Sequence, residues 1–201
     1  MGNLAEWATC VVALISAYLI LSQLKNDHER SRRQLATEMM FVWARSQKSE
    51  TSSVRNFVRN LSLQECQFLV EMTPFHVSNT QEHINLLNAS LEPKFSHFDI
   101  STITNGNIIK VEGQYLAHIR SVAIDYLNTL ESILSAWHSG TASRKIIEEQ
   151  FVFLRNLAWT SLPQFRNANQ MWNSNVDPYP CITSFIAIAN HGPTPVLGDL
   201  P

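Results

Sequence analysis

The chain has 201 residues and a mass of 22.8 kDa, the size of one domain with an appendage. Its 15 Lys and Arg residues against 17 Asp and Glu residues give a net charge of −2, which argues against a nucleic-acid-binding protein, since such proteins need excess positive charge. Hydrophobic residues make up 45% and charged residues 16%, so the composition excludes a disordered chain and favours one with part of its surface hidden from water.

An uncharged apolar segment of 18 residues runs from Trp7 to Leu24. As a helix it would extend ~27 Å, close to the ~30 Å of a bilayer's hydrocarbon core. Apolar residues face every side of that helix, whereas a surface helix would have one polar side. A helix buried in a soluble protein is the alternative, but we predict a membrane span. The residues assigned to the span are Trp7, Val11, Leu14, Ile15, Tyr18 and Leu21.

Basic residues flank the predicted span on its C-terminal side only. They are Lys25, Arg30, Arg32 and Arg33. The positive-inside rule therefore predicts a single-pass protein of the inner (plasma) membrane, with its N-terminus outside and its bulk in the cytoplasm. The same residues are placed to contact lipid phosphates, so the bilayer is the first expected partner. Ala13 and Ala17 form a small-xxx-small pair that would let two spans approach closely.

Four segments follow from the hydropathy pattern. Residues 1–25 are the anchor, and residues 26–50 are a juxtamembrane stalk and the first bundle helix, which we expect to end near Gln47. Residues 51–165 are expected to form a helical bundle, and residues 166–201 an irregular segment rich in Pro and Asn. The predicted fold is thus all-α, one transmembrane helix continuing into a cytoplasmic bundle of four or five helices.

Local signals place several elements in the first half of the bundle. Ser62 and Glu65 have the spacing of a capping box, which predicts a helix start. A further helix is expected to begin near Ser78 and to stop before Pro93. Residues 94–109 are β-branched in part and contain Asn105-Gly106, which is typical of a loop with a short hairpin.

The strongest periodicity lies between Val111 and His138, where apolar residues recur at spacings of three and four. This heptad pattern predicts coiled-coil-like packing along one face of a long helix, which we call the seam. Gly140 is expected to end that helix, and a second helix is expected to run antiparallel over residues 142–161. The seam consists of Leu116, Ile119, Ala123, Tyr126, Leu130, Ile133 and Trp137.

The end of the chain carries six of the eight prolines, from Pro163 onward, and a run of asparagines. This composition predicts irregular chain that wraps the bundle. Within it, the apolar stretch 181–189 is too short to span a membrane, and its β-branched residues favour a buried strand or an extended plug.

A search for reactive groups finds no catalytic set, metal-ligand set or cofactor motif. No phosphate-binding loop and no Gly-x-Ser-x-Gly motif occurs, and the cysteines lack zinc-site spacing. His118 and Asp125 would share a helix face ~10 Å apart, which is too far for one metal ion without help from another helix. We therefore predict no catalytic residues, no metal and no cofactor.

Two segments resemble a family of bacterial membrane proteins that have one N-terminal anchor and a cytoplasmic helical domain of unknown function. The first is EWATCVVALISAYLILSQLKNDHERSRRQ, and the second is AIDYLNTLESILSAWHSGTASRKIIEEQFVFLRNLAW, which contains the YLN-x-x-E pattern. The resemblance covers the anchor and residues 111–165. It implies a packing or capping role for Asn128 and Glu131, and an accessory or effector role in bacterial defence, including antiviral defence, or in stress systems.

Three functions fit these observations. The first is a non-enzymatic membrane-anchored interaction protein that oligomerises or binds a protein partner through its bundle. The second is a membrane-tethered nuclease or hydrolase built from His118, Asp125 and Glu131. The third is a structural subunit of a larger membrane complex, with residues 172–201 as a docking strap. The long anchor and the missing catalytic motifs favour the first.

Overall fold

The computed structural model describes residues 3–151 and 161–191 of the chain. Within these residues the fold is all-α, as predicted, with one small antiparallel sheet beside the helices. The helices are α1 (Leu4–Ser46), α2 (Ser49–Asn60), α3 (Leu63–Val70), α4 (Gln81–Leu91), α5 (Gly113–Ser139), α6 (Arg144–Gln150), α7 (Pro163–Trp172) and α8 (Pro180–His191). The strands are β1 (Phe75–Ser78), β2 (Thr104–Asn105) and β3 (Ile108–Val111).

Helix α1 is continuous over 43 residues, so the anchor, the stalk and the first bundle helix form one rod. Against the described residues, none of its 18-residue apolar window is buried. Its last three turns pack on the body through the fully buried Ala36 and through the partly buried Leu35, Met39 and Trp43. Val42, which the three-and-four spacing from Leu35 and Met39 would place on the same face, is exposed.

Helix α2 was not expected, because its sequence is mostly polar. Its one apolar face nevertheless carries three buried residues, which are Val54, Phe57 and Val58. Residues three and four positions apart lie on the same side of a helix. This face packs against α4 and α5. Helix α2 shows that a narrow apolar stripe is enough to hold a short helix when neighbouring elements cover it.

The capping box at the start of α3 is present as predicted. The Ser62 hydroxyl accepts a hydrogen bond from the Glu65 amide at 3.3 Å, and the Ser62 amide donates to the Glu65 carboxylate at 2.7 Å. Two otherwise unpaired amides are thus satisfied at this helix end.

The predicted hairpin is also present. Strands β2 and β3 pair antiparallel, and the chain turns at Asn105-Gly106. Asn105 is the last residue of β2 and pairs with Ile108, and Gly106, at φ +61°, and Asn107 lie between the strands. The hairpin is joined by β1, which pairs with β3 in the order β1-β3-β2 and which the sequence did not indicate. Phe75 and Val77 of β1 are buried, so the sheet covers one end of the bundle.

Helix α5 is the centre of the body and contacts α1, α2, α3, α4, α6 and α8. It ends as predicted at Gly140, which has the left-handed φ of +69°. Helix α6 then runs back, with Ser143 beside Arg32 and Phe151 beside Trp43. The predicted helix over 142–161 is observed up to Gln150, and its remainder lies largely outside the described residues.

The prediction of irregular chain beyond residue 165 was wrong for the described part of that segment. Helix α7 packs on α3, and α8 packs on α5. The prediction of a strand or plug at residues 181–189 was also wrong, since these residues lie within α8. Ile182 and Phe185 are spaced by three and bury one helix face, so tertiary packing overrides the local preference of β-branched residues for strands. The body therefore holds more helices than the four or five expected.

Candidate functional site

The first candidate is the exposed apolar half of α1. All six residues assigned to the span lie in it, and more than half of each side chain is exposed. The large exposed apolar side chains of this half are Trp7, Val11, Leu14, Ile15, Tyr18 and Leu21, together with their neighbours. This one helix, near the N-terminus, is long and apolar enough to cross a membrane. Such a surface in water would be a large apolar patch, which soluble monomers avoid.

The four basic residues after the span are all exposed on α1. Arg33 forms an ion pair with Glu29, one turn earlier on the same helix. The backbone of Arg32 contacts the body, because its carbonyl accepts a hydrogen bond from the Ser143 amide at 3.0 Å. The turn between α5 and α6 therefore contacts α1 eight residues after Leu24, the last residue of the predicted span.

Helices α1 and α5 run antiparallel. Arg32 lies beside Gly140 at the end of α5, whereas Trp43 lies 5.5 Å from the ring of Tyr126, nearer the middle of α5. Trp43 also contacts the ring of Phe151 at 5.1 Å. These contacts join the rod of α1 to the core, so a force on the anchor would be transmitted to the bundle.

All seven residues of the seam are buried inside this chain. The seam is covered by the other helices around α5, so a partner could reach it only if the body opened. Burial raises the pKa of the Tyr126 phenol, and the nearby Arg55 guanidinium opposes part of that rise. The heptad pattern identified an apolar face correctly, but it did not show which part of the molecule covers that face.

The three residues considered for catalysis do not come together. His118 is buried, and its Nε2 atom lies 2.6 Å from Oε1 of Glu50 in α2. Asp125 is exposed, and Glu131 is ~20 Å from His118 along the helix. Within the described residues, no group of three His, Cys, Asp or Glu side chains could hold a metal ion.

Glu131 caps a helix, which is one of the two roles that the resemblance implied for it, although the sequence did not indicate which helix. Its two carboxylate oxygens accept hydrogen bonds from the amides of Cys181 and Ile182, at 2.8 and 2.9 Å, at the N-terminus of α8. A carboxylate at this position satisfies amides that have no partner within the helix and interacts favourably with the helix dipole. The residue thus caps a helix that begins 49 residues later.

A polar cluster surrounds this cap. Arg166 donates to the Thr183 hydroxyl at 2.6 Å, and Thr183 donates to the Asp177 carboxylate at 2.6 Å. Burial lowers the pKa of the Arg166 guanidinium, while Asp177 and Glu131 act in the opposite direction. The cluster links α5, α7 and α8. In the sequence, the start of α8 is indicated locally by the Asp-Pro-Tyr-Pro segment, residues 177–180.

Neither cysteine of the body is suited to nucleophilic chemistry. Burial, with a contribution from Glu65, raises the pKa of the Cys66 thiol to about 12. The pKa of the Cys181 thiol is also raised, by desolvation first and then by the Glu131 carboxylate. Both are therefore thiols at neutral pH, whereas nucleophilic cysteines are thiolates.

Among the described residues of the body, large apolar side chains more than half exposed lie in two places. One is on α1, where Phe41 and Val42 are exposed at a cavity of about 400 Å³. The other is at the end of α7, where Met171, Trp172 and Val176 are each more than half exposed. The cavity is lined by Thr37, Met40, Phe41, Trp43, Ala44, Gln150 and Phe151.

Comparison with known proteins gives no further indication of function, since no protein family, no curated protein and no solved structure matches this chain.

Proposed function

We propose that this chain is a single-pass membrane protein that acts by interaction rather than by catalysis. The observation that carries the proposal is the continuity of α1, which has an exposed apolar N-terminal half and packs on the body with its last three turns. A lipid bilayer is the environment that covers such a half-helix. A protein of this form holds a folded module at a fixed distance from the membrane.

The orientation follows from the flanking charges. Lys25, Arg30, Arg32 and Arg33 all follow the span, so the body is proposed to lie in the cytoplasm, beneath the inner membrane. An accessory or effector role in a bacterial defence or stress system fits this placement. The support for that role is the family resemblance alone, and no contact within the body bears on it.

The proposed interaction is self-association along α1. All copies of the chain cross the membrane in the same direction, so a symmetric dimer has its twofold axis along the membrane normal. Each residue of α1 then lies at the same depth as its counterpart in the other copy. Ala13, Ala17 and Ile20 lie in the span, and Phe41 lies three heptads beyond Ile20 at an exposed position of α1. Two α1 helices could therefore pack against each other both within the membrane and beyond it, with the same distance between their axes.

The other two hypotheses have less support. His118, Asp125 and Glu131 do not converge, which leaves the tethered enzyme without a described set of side chains. For the structural subunit, part of the supposed docking strap is α8, which packs on α5 of the same chain. Its remaining residues, from 192 onward, lie outside the described residues.

The membrane span is tested by placing charge in its middle. Each arginine at the centre of a span costs about 2.5–3.5 kcal/mol. We therefore expect the double substitution Leu14→Arg with Ile15→Arg to remove most of the protein from the carbonate-washed membrane fraction. The matched control is Thr37→Arg with Glu38→Arg, which adds arginine at two exposed positions of the same helix outside the span. If both variants stay in the membrane fraction, the anchor proposal is wrong.

Self-association is tested by light scattering on the full chain in mild detergent. We expect more than one chain per particle, and we expect Phe41→Asp to give single chains because the charge would be buried in the α1 pair. Trp172→Asp is the matched control, an exposed aromatic residue on α7. Dissociation by Trp172→Asp alone would move the contact to α7, and a wild-type monomer under all conditions would contradict self-association.

A further inference from the structure

The turn between α5 and α6 brings two arginines together that are 112 residues apart in the chain. A Cβ atom on Gly140 would lie 3.8 Å from Nη2 of Arg32 and 4.0 Å from Nη2 of Arg144. Both guanidinium groups thus lie close to the side-chain position of a residue that has no side chain. Lys145, the next residue, is exposed and adds a third positive charge.

Arg144 is held in place by α5. Its Nε donates to the Trp137 carbonyl at 3.1 Å, its Nη2 donates to the His138 carbonyl at 2.9 Å, and its guanidinium lies 5.8 Å from the centre of the Trp137 ring. These contacts use two of the five N–H donors of an arginine. The group is therefore ordered in advance and still has donors for a ligand.

Neither arginine has a carboxylate partner among residues 3–151 and 161–191. The ion pairs in this part of the chain are Arg33–Glu29, Lys110–Glu112 and His118–Glu50. Glu148, one turn after Arg144, accepts a hydrogen bond from the Trp137 indole instead. Two neighbouring like charges repel each other, and an anion bound between them would offset the repulsion.

The backbone of Arg32 lies just below the lipid headgroup layer if α1 spans the membrane. Arg32 follows Leu24 by eight residues, or ~12 Å of helix, and the headgroup layer is ~5–8 Å thick. Side chains on a helix lean toward its N-terminus, so the Arg32 side chain extends toward the span and can reach the phosphate level.

We propose that Arg32 and Arg144 form a binding site for the phosphate group of an anionic membrane lipid. The planar guanidinium binds phosphate oxygens through paired, charge-assisted hydrogen bonds. The site would fix the α5–α6 turn against the bilayer and set the angle between the body and the membrane. The inference rests on the membrane placement proposed above, and the same chemistry would also accept free inorganic phosphate.

The test uses the full chain in a neutral detergent and counts bound ligands by native mass spectrometry. The probes are dioctanoyl-phosphatidylglycerol, dioctanoyl-phosphatidylcholine and inorganic phosphate. We expect the anionic lipid to bind most tightly, and Arg32→Gln to weaken its binding roughly fivefold, which corresponds to one juxtamembrane charge. Arg32→Gln is the informative variant because no side-chain contact within the described body depends on Arg32.

Arg45→Gln is the matched control, since it removes the same charge from an exposed position of α1 that is far from the turn. Arg144→Lys keeps the charge but loses the planar group and is expected to weaken binding as well. Equal binding of the two lipids, or equal effects of Arg32→Gln and Arg45→Gln, would overturn the site. If inorganic phosphate binding depended on Arg32 but the anionic lipid were not preferred, the proposal that the bound phosphate group belongs to a lipid would be wrong.

Membrane fractionation of the same variants separates the two proposals. Arg32→Gln is expected to remain in the washed membrane fraction while it loses lipid selectivity. Retention of the wild type without lipid selectivity would reject the phosphate site alone. Release of the wild type from the membrane would reject the anchor.

Discussion

Leu130→Asp is expected to unfold the body of the protein. Leu130 is a fully buried residue of the seam on α5. The substitution removes a leucine side chain from the core, and it places a carboxylate where no partner is available. Together these effects cost at least about 5 kcal/mol, which is comparable with the whole stability of a typical domain. Near-ultraviolet circular dichroism of the full chain in detergent would lose its fine structure.

The control for Leu130→Asp is Asn128→Asp, which places the same charge on an exposed position of α5 two residues earlier. We expect this variant to keep the wild-type spectrum and melting temperature. The experiment also decides whether the seam is an intramolecular or an intermolecular surface. If Leu130→Asp stayed folded and only separated associated chains, the seam would be a contact between copies, and the burial described above would be contradicted.

Glu131→Ala is expected to destabilise the body by about 2–3 kcal/mol. The substitution removes two charge-assisted hydrogen bonds and leaves the amides of Cys181 and Ile182 without acceptors. It also takes away a negative charge from the N-terminus of α8 and from the vicinity of Arg166. Chemical denaturation of the full chain in detergent would show a lower transition midpoint.

The effect should begin locally at α8. We expect a protease to cleave Glu131→Ala faster than the wild type within residues 173–179, the connection from α7 to α8. Glu131→Gln keeps one side-chain acceptor, so its cleavage rate should lie between those of the wild type and Glu131→Ala. Glu149→Ala, at an exposed position of α6, serves as the control. An equal midpoint for Glu131→Ala and Glu149→Ala would show that the cap contributes nothing to stability.

Features that depend on neighbouring residues were predictable. The apolar run from Trp7 to Leu24 has a length and composition that suit a membrane-spanning helix in any fold. The Ser62–Glu65 capping box, the Asn105-Gly106 turn and the end of α5 at Gly140 need only three to five residues each. All four were read from the sequence because the interactions that form them are local.

Features that depend on distant residues were not predictable. Residues 181–189 have the β-branched composition of a strand, and they form a helix because Glu131 caps its start and α5 covers its apolar face. Helix α2 was missed because three apolar residues in a polar segment mean little until α4 and α5 are known to cover them.

The same division applies to the candidate sites. The sequence by itself determined that the chain has an apolar rod at one end, a basic flank after it and a heptad seam in the body. Only the tertiary structure decided that the seam is covered by the chain's own helices and that Arg144 lies beside Arg32. Periodicity reports that a helix face is apolar, but what covers that face is decided by the packing of residues far apart in the chain.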